Sequence, residues 1–186
     1  MRVFGDAAYF IALLSTRDRW HARAIAINRQ SPGPLITTEW VLTEVGDAFS
    51  QPGARQKFSR LLELLKEQPD VEIVPATSDL FRRGTDFYSA RPDKEWSLTD
   101  CISFVVMNEL GITDALTNDH HFEQAGFRIL LKEFGRKIVH TTMVCVKAVP
   151  TPEDYGFGYG CSSPTCGISI LAAKSDHCRG AGSPRL

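Results

Sequence analysis

The chain has 186 residues, 43% of them hydrophobic and 23% charged, with a formal net charge of −1. That length suits one domain, or one domain with a tail, and is enough to bury a core. No global basic signature of the kind many nucleic-acid binders carry is present, although an enzyme that gathers divalent cations on carboxylates can be acidic overall and still act on a polyanion. No apolar run approaches the roughly 18 residues that span a bilayer. The short AAYFIALL stretch lacks the basic lead-in and cleavage site of a secretory signal.

In chain order, RVFG (2–5) reads as a short strand and AAYFIALL (7–14) as apolar helical turns, with a further helix over 20–28. PLIT (34–37) is a second strand and EWVLTEVGDAF (39–49) a helix. A Pro-Gly break at Pro52 and Gly53 precedes RQKFSRLLELLKEQ (55–68), where Phe58, Leu61, Leu62 and Leu65 recur at helical spacing. VEIVPA (71–76) is a third strand and SDLFRRGTDFYS (78–89) a helix. SLTDCISFVVMNELG (97–111) is a long apolar helix stopped by Gly111. DALTN (114–118) is a fourth strand, HHFEQA (120–125) a short helix and FRILL (127–131) a fifth strand. Strands alternating with helices imply right-handed crossovers and a mainly parallel sheet covered on both faces, a three-layer α/β/α domain over residues 1–134.

From 135 onward the periodicity dissolves. This segment, read as a poorly ordered extension, is rich in Gly, Ser, Pro and Thr and holds four of the five cysteines. Its six Lys/Arg against three Asp/Glu make it +3 and leave −4 for residues 1–134. Cys161, Cys166, His177 and Cys178 can be drawn as a zinc site, but no tight Cys-x2-Cys pair is present, and free thiols are the expectation. Cys101 sits in an apolar helix, so nothing in residues 1–134 calls for disulfides, and a reducing cytoplasm is the expected location.

In an open α/β sheet, ligands bind beyond the carboxyl ends of the strands, and four acids fall there. Asp6 closes the first strand and Asp119 the fourth; Asp100 lies in the first turn of the apolar helix, and Glu44 on the helix after strand two. Three have a plain alternative: Asp6 and Asp119 as helix N-caps, and Asp100 as the reaching-back member of a Ser97–Asp100 capping box. Glu44 does not. On a helical wheel with Val41 at zero it lies at about 300°, on the shoulder of the buried stripe, whereas Glu39 at about 160° faces away. Four converging carboxylates repel unless cations neutralise them, and hard oxygen donors suit Mg²⁺ or Mn²⁺. His120 and His121 are read as one packing at a helix start and one in solvent, since Mg²⁺ has little need of imidazole. Substrate contact would come from Arg and Lys near the site mouth; Arg17, Arg19, Arg23, Arg82, Arg83 and Arg91 are available, but sequence does not place them, and ordinary solvated charges are the expectation for each.

VFGDAAYFIALL with Trp20-His21, LITTEWVLTEVGDAFS, and SLTDCISFVVMNELGITDALTNDHHFEQAGF, in that order, resemble the PIN-domain family. They look most like the toxin nucleases of bacterial VapBC toxin–antitoxin pairs, over roughly residues 2–131. The resemblance implies a parallel five-stranded sheet in order 3-2-1-4-5 and a metal-dependent endoribonuclease whose Mg²⁺ or Mn²⁺ is held by Asp6, Glu44, Asp100 and Asp119. Thr117, Asn118 and Ser97 neighbour those acids as orienting groups. It further implies an RNA substrate, an antitoxin partner and a homodimer. The competing readings are a PIN nuclease of RNA processing or turnover outside any such pair, and a non-catalytic RNA-binding module. An aspartyl-phosphate phosphotransfer domain is disfavoured, because residue 8, where a second acid would stand, is Ala.

Overall fold

The computed structural model describes residues 1–132. The expected extension from 135 onward, with its cysteines and the weighed zinc site, lies outside the described residues. Twelve elements follow one another: β1 (Val3–Gly5), α1 (Ala7–Leu14), α2 (His21–Arg29), β2 (Leu35–Thr38), α3 (Glu39–Ala48), α4 (Arg55–Glu67), β3 (Val71–Val74), α5 (Ser78–Ser89), α6 (Leu98–Glu109), β4 (Asp114–Leu116), α7 (His120–Gln124) and β5 (Arg128–Ile129). The sheet runs β3-β2-β1-β4-β5 and every pairing is parallel. This is the order and class expected. Phe4 is registered between Ile36 of β2 and Ala115 of β4, so β1 is the central strand.

All residues of β1, β2 and β4 are buried, whichever face their side chains take. Strands buried on both faces require helices on both, which accounts for the continuous apolar runs where a half-exposed sheet would alternate. Glycine at position 5 follows from the same crowding: a Cβ there would stand 3.0 Å from Leu35 Cδ1 and from Phe10 Cζ. The strand can thus pack closely against β2 and α1, and Asp6 follows directly at its carboxyl end.

Three helix starts, those of α3, α5 and α6, are set by hydroxyl caps. Thr38 accepts from the Val41 amide, Thr77 from the Leu80 amide, and Ser97 from the Asp100 amide. An aromatic cluster fixes the corner between α6 and α7: Phe104 meets Trp96 and Phe122 edge-on, at 5.1 and 4.9 Å between centroids, and Trp96 stacks on Phe87. Helices α5 and α6 approach closely through Gly84, where a Cβ would lie 2.3 Å from Ile102 Cγ1. At the opposite, amino-terminal end of β4, Asp114 is buried and paired with Arg128, whose Nε donates to Asp114 Oδ1 at 2.8 Å. That partner explains an acid which takes no part in the site below. Among the described residues no helix is long and apolar enough to cross a membrane.

Candidate metal centre

Each of the four acids is delivered by a different element. Asp6 occupies the N-cap position of α1, yet its side chain makes no cap bond. It is 7% exposed, and its Oδ2 accepts a 2.7 Å hydrogen bond from the Thr117 hydroxyl. Burial drives its pKa from 3.8 up to about 7; the Thr117 hydroxyl and the Ala7 amide oppose the rise, and the charges of Asp100 and Glu44 add to it.

Glu44 sits partly buried on α3, as the wheel places it. Glu39 turns away and accepts the Ala76 amide at 2.7 Å. The Glu44 pKa is raised, first by burial and then by the charges of Asp100, Asp47 and Asp119, against a hydrogen bond from Thr99. Asp100, in the first turn of α6, forms the full capping box with Ser97: Oδ2 accepts the Ser97 amide at 2.8 Å while the Asp100 amide donates to Ser97 Oγ at 3.0 Å. Its pKa is raised by burial and by Asp119, against the Ser97 bonds and His121. Asp119 caps α7 through the His121 amide at 2.9 Å. Strand β4 stops at Leu116, so Asp119 stands three residues past the strand it was expected to close. Thr117 bridges that gap, its hydroxyl accepting the Asp119 amide at 3.0 Å while it donates to Asp6.

The capping alternative is thus realised for Asp100 and Asp119 and fails for Asp6. It does not explain the whole set. Asp6, Glu44 and Asp100 each hold their protons more tightly because of one or more of the other acids. Among the described residues, neither Asp6 nor Glu44 takes part in an ion pair. Carboxylates that raise one another's proton affinity, with only neutral hydrogen-bond donors at Asp6 and Glu44 and the His121 ring beside Asp100 and Asp119, are a candidate donor set for a hard divalent cation.

A model of the PIN domain matches residues 3–128. The chain belongs to the PIN-domain family. VapC20 of Mycobacterium tuberculosis (strain CDC 1551 / Oshkosh), named as a 23S rRNA-specific endonuclease, is 29% identical over 126 residues, which cover 67% of this chain and 95% of that relative. The crystal structure of Mycobacterium tuberculosis VapC20, described as a sarcin-ricin loop cleaving toxin, superposes with a TM-score of 0.61 at 24% identity, covering 67% of this chain and 95% of that one. VapBC2 of Rickettsia felis, solved bound to a DNA fragment of its promoter, gives 0.50 at 11% identity over 69% of this chain and 96% of that one. Both structural likenesses are of fold.

Within this PIN domain, Asp6, Glu44, Asp100 and Asp119 lie near enough to act on one another electrostatically, and among the described residues Asp119, His120 and His121 offer ligand atoms all within 4.8 Å of one another. Thr117 and Ser97, the expected orienting groups, hold Asp6 and Asp100 directly, and Asn118 has no hydrogen bond to the acids among the described residues. Thr99 is not singled out by the sequence, which reads His121 only as packing at a helix start or as solvated. Thr99 reaches Glu44 from α6, and no linear spacing announces a contact between residues 55 positions apart. His121 lies 3.4 Å through Nδ1 from both Asp100 Oδ2 and Asp119 Oδ1, its side chain 17% exposed against 59% for His120. The expected division into one packed and one solvated histidine holds, but the packed ring packs against the acids. Of the six arginines, Arg82 and Arg83 pair with Asp79 on the surface, and Arg91 lies 5.0 Å over Trp96 and pairs with Asp93.

Proposed function

We propose that this PIN domain is a metal-dependent endoribonuclease that hydrolyses RNA phosphodiesters at the four-carboxylate centre, and that it is the toxin of a type II toxin–antitoxin pair. The observation that carries the reading is the clustering of Asp6, Glu44, Asp100 and Asp119, with raised proton affinities at three of them. A module that only bound RNA would gain nothing from concentrating negative charge where phosphates must lie. The 23S rRNA-specific endonuclease name carried by VapC20 supports RNA as the substrate class, and a partner antitoxin and a homodimer are the assembly to look for.

The residues fit Mg²⁺ or Mn²⁺, since the acids offer oxygen donors. When bound, such a cation supplies a Lewis acid that lowers the pKa of water and offsets charge on the phosphate. Asp6, Asp100 and Asp119 are the holding residues. Thr117 keeps Asp6 oriented and couples it to the backbone of Asp119; Ser97 does the same for Asp100. Glu44, its pKa raised by burial and partly open to solvent, is either a further ligand or the group that positions a water and takes its proton. No protein nucleophile is required.

The test is cleavage of end-labelled RNAs, a sarcin–ricin-type hairpin among them, by wild-type and Asp6→Asn protein in Mg²⁺, Mn²⁺ or EDTA. Cutting that needs the cation and disappears in the variant is the expected result. Equal cutting by a metal-replete Asp6→Asn protein overturns the site. A wild-type protein that neither cuts RNA nor binds a cation is a non-catalytic binder.

A further inference from the structure

We propose that the Nδ1 atom of His121 is a nitrogen ligand beside Asp100 Oδ2 and Asp119 Oδ1, so that the centre takes Mn²⁺ or a later first-row cation in preference to Mg²⁺. The inference rests on the carboxylate centre proposed above and deepens it.

Three observations converge on that atom. First, it stands 3.4 Å from Asp100 Oδ2 and 3.4 Å from Asp119 Oδ1, and so faces both acids at once. Second, it is buried and makes no hydrogen bond. A buried polar atom in a folded protein is ordinarily satisfied, and one left without a partner calls for an explanation such as an ion. Third, the spacing is wrong for a hydrogen bond and right for shared coordination. N–H···O bonds cluster near about 2.9 Å, whereas two donors about 2.2 Å from one octahedral ion, at a cis angle opened to roughly 100°, are separated by about 3.4 Å.

The chain also holds the ring in place. The His121 amide donates to Asp119 Oδ1 at 2.9 Å, so one residue ties its backbone to a carboxylate and turns its ring toward the same oxygen. Next to it, Phe122 is wholly buried in the aromatic cluster, which fixes the start of α7. For Nδ1 to offer a lone pair, the ring proton resides on Nε2. His120, although its Nδ1 is 3.4 Å from Asp119 Oδ1, is 59% exposed and stays at the rim.

Mixed nitrogen and oxygen donors change the selectivity of a site. Mg²⁺ favours oxygen and dehydrates reluctantly, while imidazole strengthens binding of first-row transition ions. The acids alone account for cation binding; His121 decides which cation.

The experiment uses the full-length protein stripped with EDTA. Mn²⁺ and Mg²⁺ affinities are measured by calorimetry, and the Mn²⁺-loaded protein is examined by electron spin-echo modulation for coupling to ¹⁴N, with His121→Gln and His120→Ala alongside. The expected result is an imidazole ¹⁴N coupling in wild type and His120→Ala that is absent from His121→Gln. The Mn²⁺-over-Mg²⁺ preference should also fall by about tenfold or more in His121→Gln. Mn²⁺ bound to wild type without ¹⁴N coupling overturns the assignment, makes His121 an ion-pair partner of the acids, and leaves the carboxylate centre standing. So does a coupling that survives in His121→Gln and is lost in His120→Ala. Wild type that binds neither cation overturns both readings. The wild-type spectrum decides the matter even where His121→Gln fails to fold.

Discussion

Replacing Asp6 with Asn separates what the site costs the fold from what it does. Asp6 is buried beside Asp100 and Glu44 and titrates at about 7, against 3.8 when unperturbed. A carboxyl whose pKa is higher folded than unfolded binds its proton more tightly in the native state. The contribution of Asp6 to stability is therefore highest below about pH 4, falls as the pH rises from about 4 to 7, and is lowest above 7. At about 1.36 kcal/mol per unit, the gap of roughly three units is worth about 4 kcal/mol. Asn has the shape of the protonated acid and keeps an oxygen to accept the Thr117 hydroxyl. Urea unfolding in EDTA should find Asp6→Asn more stable than wild type by up to about 4 kcal/mol at pH 8. The advantage should shrink to less than half of that at pH 5, because the unfolded and folded carboxyls then differ less in protonation. Saturating Mn²⁺ should restore the wild type and leave the variant nearly unmoved, since a cation that binds only the native state stabilises it by mass action. Wild type and variant tracking each other from pH 5 to 8 would refute the claim that Asp6 is ionised at a cost.

Two further substitutions test the supports of the site. Gly84→Ala places a Cβ against Ile102 between α5 and α6, so thermal melts should show a loss of about 1–3 kcal/mol; an unchanged melting temperature would mean that the helices are not so close. Thr117→Val removes the hydroxyl that bonds both Asp6 and the Asp119 amide. It should cost about 1–3 kcal/mol and move the pH midpoint of Mn²⁺ binding upward, because the bond that lowers the Asp6 pKa is gone. Thr117→Ser should bring the midpoint back, and a midpoint indifferent to all three residues would contradict the link.

Much of this was written in periodicity. Phe58, Leu61 and Leu65 mark α4 from their spacing alone, and the wheel position of Glu44 anticipates its partial burial against the site while Glu39 faces away. The sheet order came from family resemblance, since strands of three or four residues carry too little pattern to choose their neighbours. The fifth strand illustrates the limit. FRILL reads as five strand residues, yet only Arg128 and Ile129 pair with β4, because β4 itself ends at Leu116. Local grammar also misdirects: Ser97-Leu98-Thr99-Asp100 is a true capping box, and that satisfied local role conceals a residue which answers to Asp119 and His121 as well. Contacts such as Thr99 to Glu44 exist only in three dimensions.

Strand β1 is made early and gains its second neighbour late, because β4 ends at residue 116 and Asp119 follows Asp6 by 113 positions (119 minus 6). At about 5–20 residues per second, translation separates the two acids by roughly 6–23 s. Through that interval Asp6 stands without the strand and the carboxylate that complete its surroundings. The centre proposed here is consequently incomplete on the nascent chain until synthesis has passed Asp119.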